Sequence, residues 1–266
     1  MVIEQGKAVF ERGFFKPARI IVLFVLFSVG CASQTPTVKP KLPSRNPAVA
    51  YDLFEKGRQL SVEGNHEEAI KIYEQALQVD PKLAIAAFEQ AVSLFYVGQD
   101  FSKMKPLLAF AVEAFPNNPR ARLYYGRVLA NLNRIQLAQQ QLKKSFELRP
   151  DFVEPRMELA EVYERNGQYP AAQEQLEAVL KKHPAKLQAR IRLAELHARQ
   201  TKYEEAAREI ERAAVQAGRS AALYRKAAKW YSSAGKSIEA QRMETTADEI
   251  DPPRKQRDLR PLRKAR

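Results

Sequence analysis

From residue 50 onward, apolar residues return every three or four positions, and the pattern stops and restarts at short intervals. That spacing lays one apolar stripe along each of a series of amphipathic helices. The interruptions come in two alternating kinds. One is Gly64, Gly98, Asn133, Gly167, Thr201 and Gly235, mostly residue types that tolerate positive φ and so suit a tight turn. The other is Pro81, Pro116, Pro150, Pro184, Gly218 and Pro252, separated by 35, 34, 34, 34 and 34 residues. The pattern predicts an all-α array of six helix-turn-helix units over residues 50–83, 84–118, 119–152, 153–186, 187–220 and 221–252.

The register within the units is consistent. The eighth position is small throughout, reading Gly57, Ala91, Gly126, Ala160, Ala194 and Ala228. The second helix carries Ala69, Ala138, Ala172, Ala206 and Ala240, with no alanine in the second unit. Small residues at these places let paired helices approach closely. The cleanest copy spans residues 153–184, with Leu159-Ala160, Tyr163, Gly167, Tyr169, Ala172 and Pro184. In this spacing the chain resembles the tetratricopeptide-repeat family. That resemblance implies an α-solenoid wound as a right-handed superhelix, with a concave groove lined by the first helix of each unit.

By the same resemblance, groove residues fall at the fifth, ninth and twelfth positions. The fifth reads Phe54, Phe88, Leu123, Met157, Ile191 and Arg225, and the ninth Arg58, Val92, Arg127, Glu161, Glu195 and Lys229. The twelfth includes Phe95, beside Tyr96. A partner-binding groove is therefore expected at Phe54, Arg58, Phe88, Val92, Phe95, Tyr96, Arg127, Met157, Glu161 and Ile191. It would have an apolar floor, basic at units one and three and acidic at four and five, suiting a helix or extended peptide with apolar anchors. The alternative for the fifth-position row is packing between neighbouring first helices. The Lys/Asn set that clamps C-terminal carboxylates in cytosolic members of the family is not supplied by Phe54, Arg58 and Glu89.

Two units depart from the pattern. The second is one residue longer, its alanine position falls near Lys103-Met104, and Pro106 lies near the expected start of its second helix. A proline is tolerated in the first helical turn, so this helix is expected to start late or to kink. The departure reads either as drift or as a local opening that shapes the groove. The sixth has Glu244 where an apolar residue is expected, which suits a cap with one side facing water.

The ends of the chain differ from the array. Lys16 and Arg19 precede the uncharged run Ile20 to Val29, about half of the ~20 residues that span a bilayer and suited to a signal-peptide core. Ser28-Val29-Gly30-Cys31 resembles the lipobox of bacterial lipoproteins, with Ser at the place where Leu is commonest. The resemblance implies a signal peptide over residues 1–30 and lipidation of Cys31. Ala32 in place of Asp implies delivery to the outer membrane, facing the periplasm. The alternative is an incidental cysteine after an ordinary signal peptide. Residues 31–49 then form a tether rich in proline, and residues 253–266 a basic tail.

Charge and chemistry refine this picture. The net charge of +13 suggests a polyanion partner until its distribution is considered: the first 30 residues contribute +2 and the last 14 contribute +6, leaving +5 over the rest. Nucleic acid is not expected as a partner for so mild and scattered an excess, although the basic tail is a candidate for lipid headgroups or other polyanions. With one cysteine there is no intrachain disulfide. His66, His183 and His197 lie in different units, without a second ligand at metal spacing, and no phosphate loop, HExxH or nucleophile motif is present. No cofactor, metal or catalytic residue is expected. The layout resembles outer-membrane lipoproteins of type IV and Flp pilus assembly, implying a scaffold that binds a secretin or pilus component. The alternative is an adaptor for outer-membrane protein insertion, cell-wall enzymes or a gliding or secretion machine.

Overall fold

Each predicted unit is a pair of α-helices in the computed structural model, which describes residues 45–98 and 100–252. The pairs are α1 (Pro47–Val62) with α2 (His66–Val79), α3 (Ala84–Tyr96) with α4 (Phe101–Ala114), and α5 (Pro119–Asn131) with α6 (Ile135–Leu148). They continue with α7 (Glu154–Arg165) and α8 (Tyr169–Lys182), α9 (Leu187–Arg199) and α10 (Tyr203–Gln216), and α11 (Ala221–Ser233) and α12 (Ser237–Ile250). Each helix packs mainly on the one before and the one after it. The described part of the chain is an all-α solenoid, with no strand among the described residues.

The core is a ribbon between the odd and even helices. One residue of each even helix repeats the same place in it: Tyr73, Leu108, Leu142, Leu176 and Ile210 are all at most 3% exposed. Burying a side chain of this size contributes roughly 1.5–3 kcal/mol. The sixth member of the row is Glu244, which is exposed, so the last helix ends the ribbon with a wet face as its sequence predicts. The small eighth-position residues have a visible reason. A Cβ on Gly57 would lie 2.7 Å from the Tyr73 ring, and one on Gly126 would lie 2.7 Å from Leu142 Cγ. All six turn residues take positive φ, including Asn133 (φ 57°) and Thr201 (φ 60°).

Two expectations are corrected. The helical array begins before residue 50: Pro47 to Val49 belong to the first turn of α1 rather than to an extended tether. Asn46 caps that turn by accepting from Val49 N at 3.3 Å, and Pro47 supplies a preset φ at the first helical position. Arg45 fixes the entry by a two-pronged contact to Asp80, with Nε donating to Oδ1 at 2.7 Å and Nη2 to Oδ2 at 3.1 Å. The Asp80 carboxyl is held below the usual carboxylate range mainly by this hydrogen bonding.

The second unit also differs from its prediction. α4 starts only one residue later in its unit than the other second helices, and not at Pro106. Asp100 caps it by accepting from Ser102 N at 2.8 Å, and Pro106 lies inside the helix. The additional residue sits in the turn, which spans residues 97–100 where every other pair has three residues. Met104 thereby takes the fourth place of its helix, the alanine place elsewhere, and is fully buried. Cys31 and the tail 253–266 lie outside the described residues.

Candidate partner-binding groove

The side chains that point away from the core ribbon on α1, α3, α5, α7, α9 and α11 form one face of the solenoid, and its two halves are built differently. From α5 onward the face is tied by ion pairs running from each odd helix to the next. Arg127 on α5 meets Glu158 on α7 at 2.6 Å. Glu161 and Glu164 on α7 meet Arg192 and Arg199 on α9 at 3.3 and 2.8 Å. Glu195 on α9 meets Lys226 on α11 at 2.6 Å. The register is regular, because a ninth-position residue pairs with the sixth-position residue of the following unit. A cavity of about 240 Å³ remains here, lined by the ion-paired Glu161, Glu164, Arg192, Glu195 and Arg199 and by the exposed Arg165.

Over α1, α3 and α5 that ladder is missing. Ser61 on α1 approaches Ser93 on α3, their hydroxyls 3.0 Å apart, and Val92 stands at the ninth position of α3. The result is a cleft of about 490 Å³ lined by Arg58, Ser61, Val62, His66, Glu89, Val92, Tyr96 and Arg120 among others. Tyr96 is 64% exposed, and one face of its ring is stacked on His66 with centroids 4.6 Å apart. Arg58 is turned along its own helix to Glu55 at 2.7 Å. Glu89 is half-buried on α3 without an ion pair or side-chain hydrogen bond among the described residues. Burial pushes its carboxyl up, against the opposing pull of Arg120 and Arg58.

The expected groove residues divide accordingly. Phe54, Phe88 and Met157 are 5%, 2% and 9% exposed, and Leu123 is buried with them, so the fifth-position row packs between helices. Ile191 is half-buried against the core of α9 to α12, and Arg225 is committed to Asp248 at 3.2 Å. Arg127 and Glu161 are rungs of the ladder, so the acidic stretch expected at units four and five is neutralised by its neighbours. Phe95 is half-buried, edge-on to Tyr124 at 5.7 Å and below the Arg127 guanidinium at 5.7 Å. Val92 is 6% exposed and belongs to the core at the base of the cleft, so Arg58 and Tyr96 alone of the expected residues remain exposed together at one open place.

Arg120, His66 and Ser61 line this cleft without having been singled out for it. A sequence signal did exist. Pairing ninth with next sixth positions gives opposite charges in the last three junctions and fails at Val92 and Tyr124, whereas Arg58 and Glu89 have the charges for a rung that Arg58 does not form because it bonds Glu55. The histidines hold no metal cluster among the described residues. His197 is 8% exposed at the place filled by Tyr163 and Tyr231 in neighbouring units, and burial lowers its pKa.

Family models described as tetratricopeptide repeat match residues 54–83 and 157–222. A search of curated proteins returns no match. Among solved structures, PilW, a type IV pilus biogenesis factor, superposes with a TM-score of 0.63 at 18% identity, over 79% of this chain and 98% of that one. PilF of Pseudomonas aeruginosa gives 0.59 at 19% identity, over 80% and 97%. YrrB, a repeat protein with a peptide-binding site, gives 0.54 at 23% identity, over 63% and 86%. At these identities the likeness is one of fold. Residues 54–83 and 157–222 match the tetratricopeptide-repeat models, and the other hairpins continue the same stacking.

Proposed function

We propose that the chain is a non-enzymatic scaffold whose odd-helix face binds a segment of a protein partner, and that the binding place is the open cleft over α1, α3 and α5. The observation that carries this reading is the change in the face at α5. Beyond it, ion pairs run from each odd helix to the next; before it, an exposed aromatic ring, an unpaired half-buried acid and a guanidinium surround a cleft. Tetratricopeptide repeats are in general scaffolds that bind protein partners.

The finer reading places this scaffold at the outer membrane. It is held there by lipid on Cys31, faces the periplasm, and serves assembly of a pilus or secretin-type machine. Two features support it: the lipobox resemblance of Ser28-Val29-Gly30-Cys31, and a fold shared over most of the chain with PilW and PilF. A lipid anchor would confine the encounter to the membrane surface and raise the effective concentration of a membrane-bound partner.

The test is a photo-crosslinking amino acid at Tyr96, with the captured partner identified by mass spectrometry. Capture of a secretin or pilus subunit supports the assembly reading. Capture of insertion-machinery or cell-wall proteins moves the scaffold to another envelope machine. Crosslinking from the basic tail alone, with none at Tyr96, would overturn the cleft as the site.

A further inference from the structure

The ladder sets a rule that one residue of the open cleft breaks. At each junction from α5 to α11, the sixth-position side chain meets an opposite charge from the preceding odd helix: Glu158 with Arg127, Arg192 with Glu161, Lys226 with Glu195. Glu89 holds the same position on α3, and its ninth-position counterpart Arg58 is bonded to Glu55 instead. On the other side, Arg120 lies over the Phe88 ring, 5.6 Å from its centroid, and makes no ion pair among the described residues. Glu89 is thus the half-buried acid of the row with no cation on it. A carboxylate withdrawn from water and left unpaired is costly, and a cation delivered by a ligand relieves that cost.

We infer that the docked segment presents a lysine or arginine side chain to this cleft, with its charged end on the Glu89 carboxylate and its stem against the exposed face of Tyr96. This rests on the proposal that the cleft is the partner site, and it names the partner's chemistry there. His66 covers one face of the Tyr96 ring, leaving the other for an aliphatic stem or a cation over the π-system. The cleft volume of about 490 Å³ accommodates a long side chain with its backbone at the rim. Arg58 and Arg120 oppose a cation, but both are exposed, so water and salt screen them more than they screen Glu89. The whole chain carries +13, which favours acidic peptides in general, so a preference for a basic one has to arise locally.

The experiment is fluorescence anisotropy of the full-length chain with two labelled, end-blocked peptides, Leu-Lys-Phe-Lys-Leu and Leu-Glu-Phe-Glu-Leu. The lysine peptide is expected to bind at least about tenfold more tightly than the glutamate peptide. Glu89→Gln should abolish that preference, and Glu89→Lys should reverse it, with helical circular dichroism unchanged. Equal binding of both peptides that is insensitive to Glu89→Gln but lost in Tyr96→Ala would overturn the cation subsite and leave the cleft as the docking place. Tighter binding of the glutamate peptide would likewise overturn it. Binding of neither peptide at millimolar concentration would count against both the subsite and the cleft.

Discussion

Single residues decide how closely the helices approach and how tightly they turn. Thr201 does at φ 60° what glycine does at four of the six turns, and a β-branched residue there is strained. Thr201→Gly is expected to raise stability by about 0.5–1 kcal/mol despite the greater chain entropy of glycine, measured by urea unfolding. His197 offers a second case. Its Nδ1 is buried without a hydrogen-bond partner, whereas Tyr231 at the same place donates its hydroxyl to Glu211 at 2.8 Å and is pushed up to about 12 by burial and that contact. Because the folded pKa of His197 is lowered, its contribution is present above the unfolded value and is lost as the pH falls through the folded one. His197→Tyr should therefore stabilise by about 1 kcal/mol at pH 7, with a larger gain at pH 5, where the wild type must protonate a buried ring.

Between elements, the odd-helix face balances stability against availability. The Arg127–Glu158 pair is about three-quarters buried on both sides, and Arg127 also lies over the Phe95 and Tyr124 rings. A double-mutant cycle with Arg127→Gln and Glu158→Gln should give a coupling of about 0.5–1 kcal/mol, and a value near zero would deny the ladder a role in tying α5 to α7. Glu89 behaves in the opposite way. Its folded pKa is raised, so the neutral carboxyl supports the fold below the unfolded pKa, and that support is lost as the pH rises through the folded one. Glu89→Gln should therefore melt higher than wild type at pH 7, with the difference vanishing below the ordinary glutamate pKa of about 4.3. Helix periods, small positions and turn residues were legible because each depends on local sequence. The buried state of Phe54 and Phe88 was not, since a fifth-position aromatic has the same spacing whether it faces a groove or a neighbouring helix. The gap at Val92 and Tyr124 was within reach by comparing positions six and nine across units, but the open rung at Glu89 was not, since Arg58 has the right charge for it and turns to Glu55 instead.

At the scale of the whole molecule, the odd-helix face carries its ion-pair ladder from α5 to α11 and an open cleft over α1, α3 and α5, which argues for a partner held near the N-terminal end of the array. That end also follows the segment containing Cys31, so the proposed lipid and the proposed binding place fall in the same part of the sequence. The all-α class and six-unit layout are legible in a 34-residue period, while the start of the array is not, because the Asn46-Pro47 cap has the same composition as the proline-rich segment before it. The central claim, that partner binding is confined to the open cleft, predicts a gradient along the face. Tyr96 and Arg199 occupy the same position of their units, one in the open half and one tied to Glu164 at 2.8 Å. The most direct measurement is the yield of in-cell photo-crosslinks from these two positions at matched expression. The account predicts a partner adduct from residue 96 several-fold stronger than from residue 199; equal yields, or a stronger adduct from 199, would contradict it.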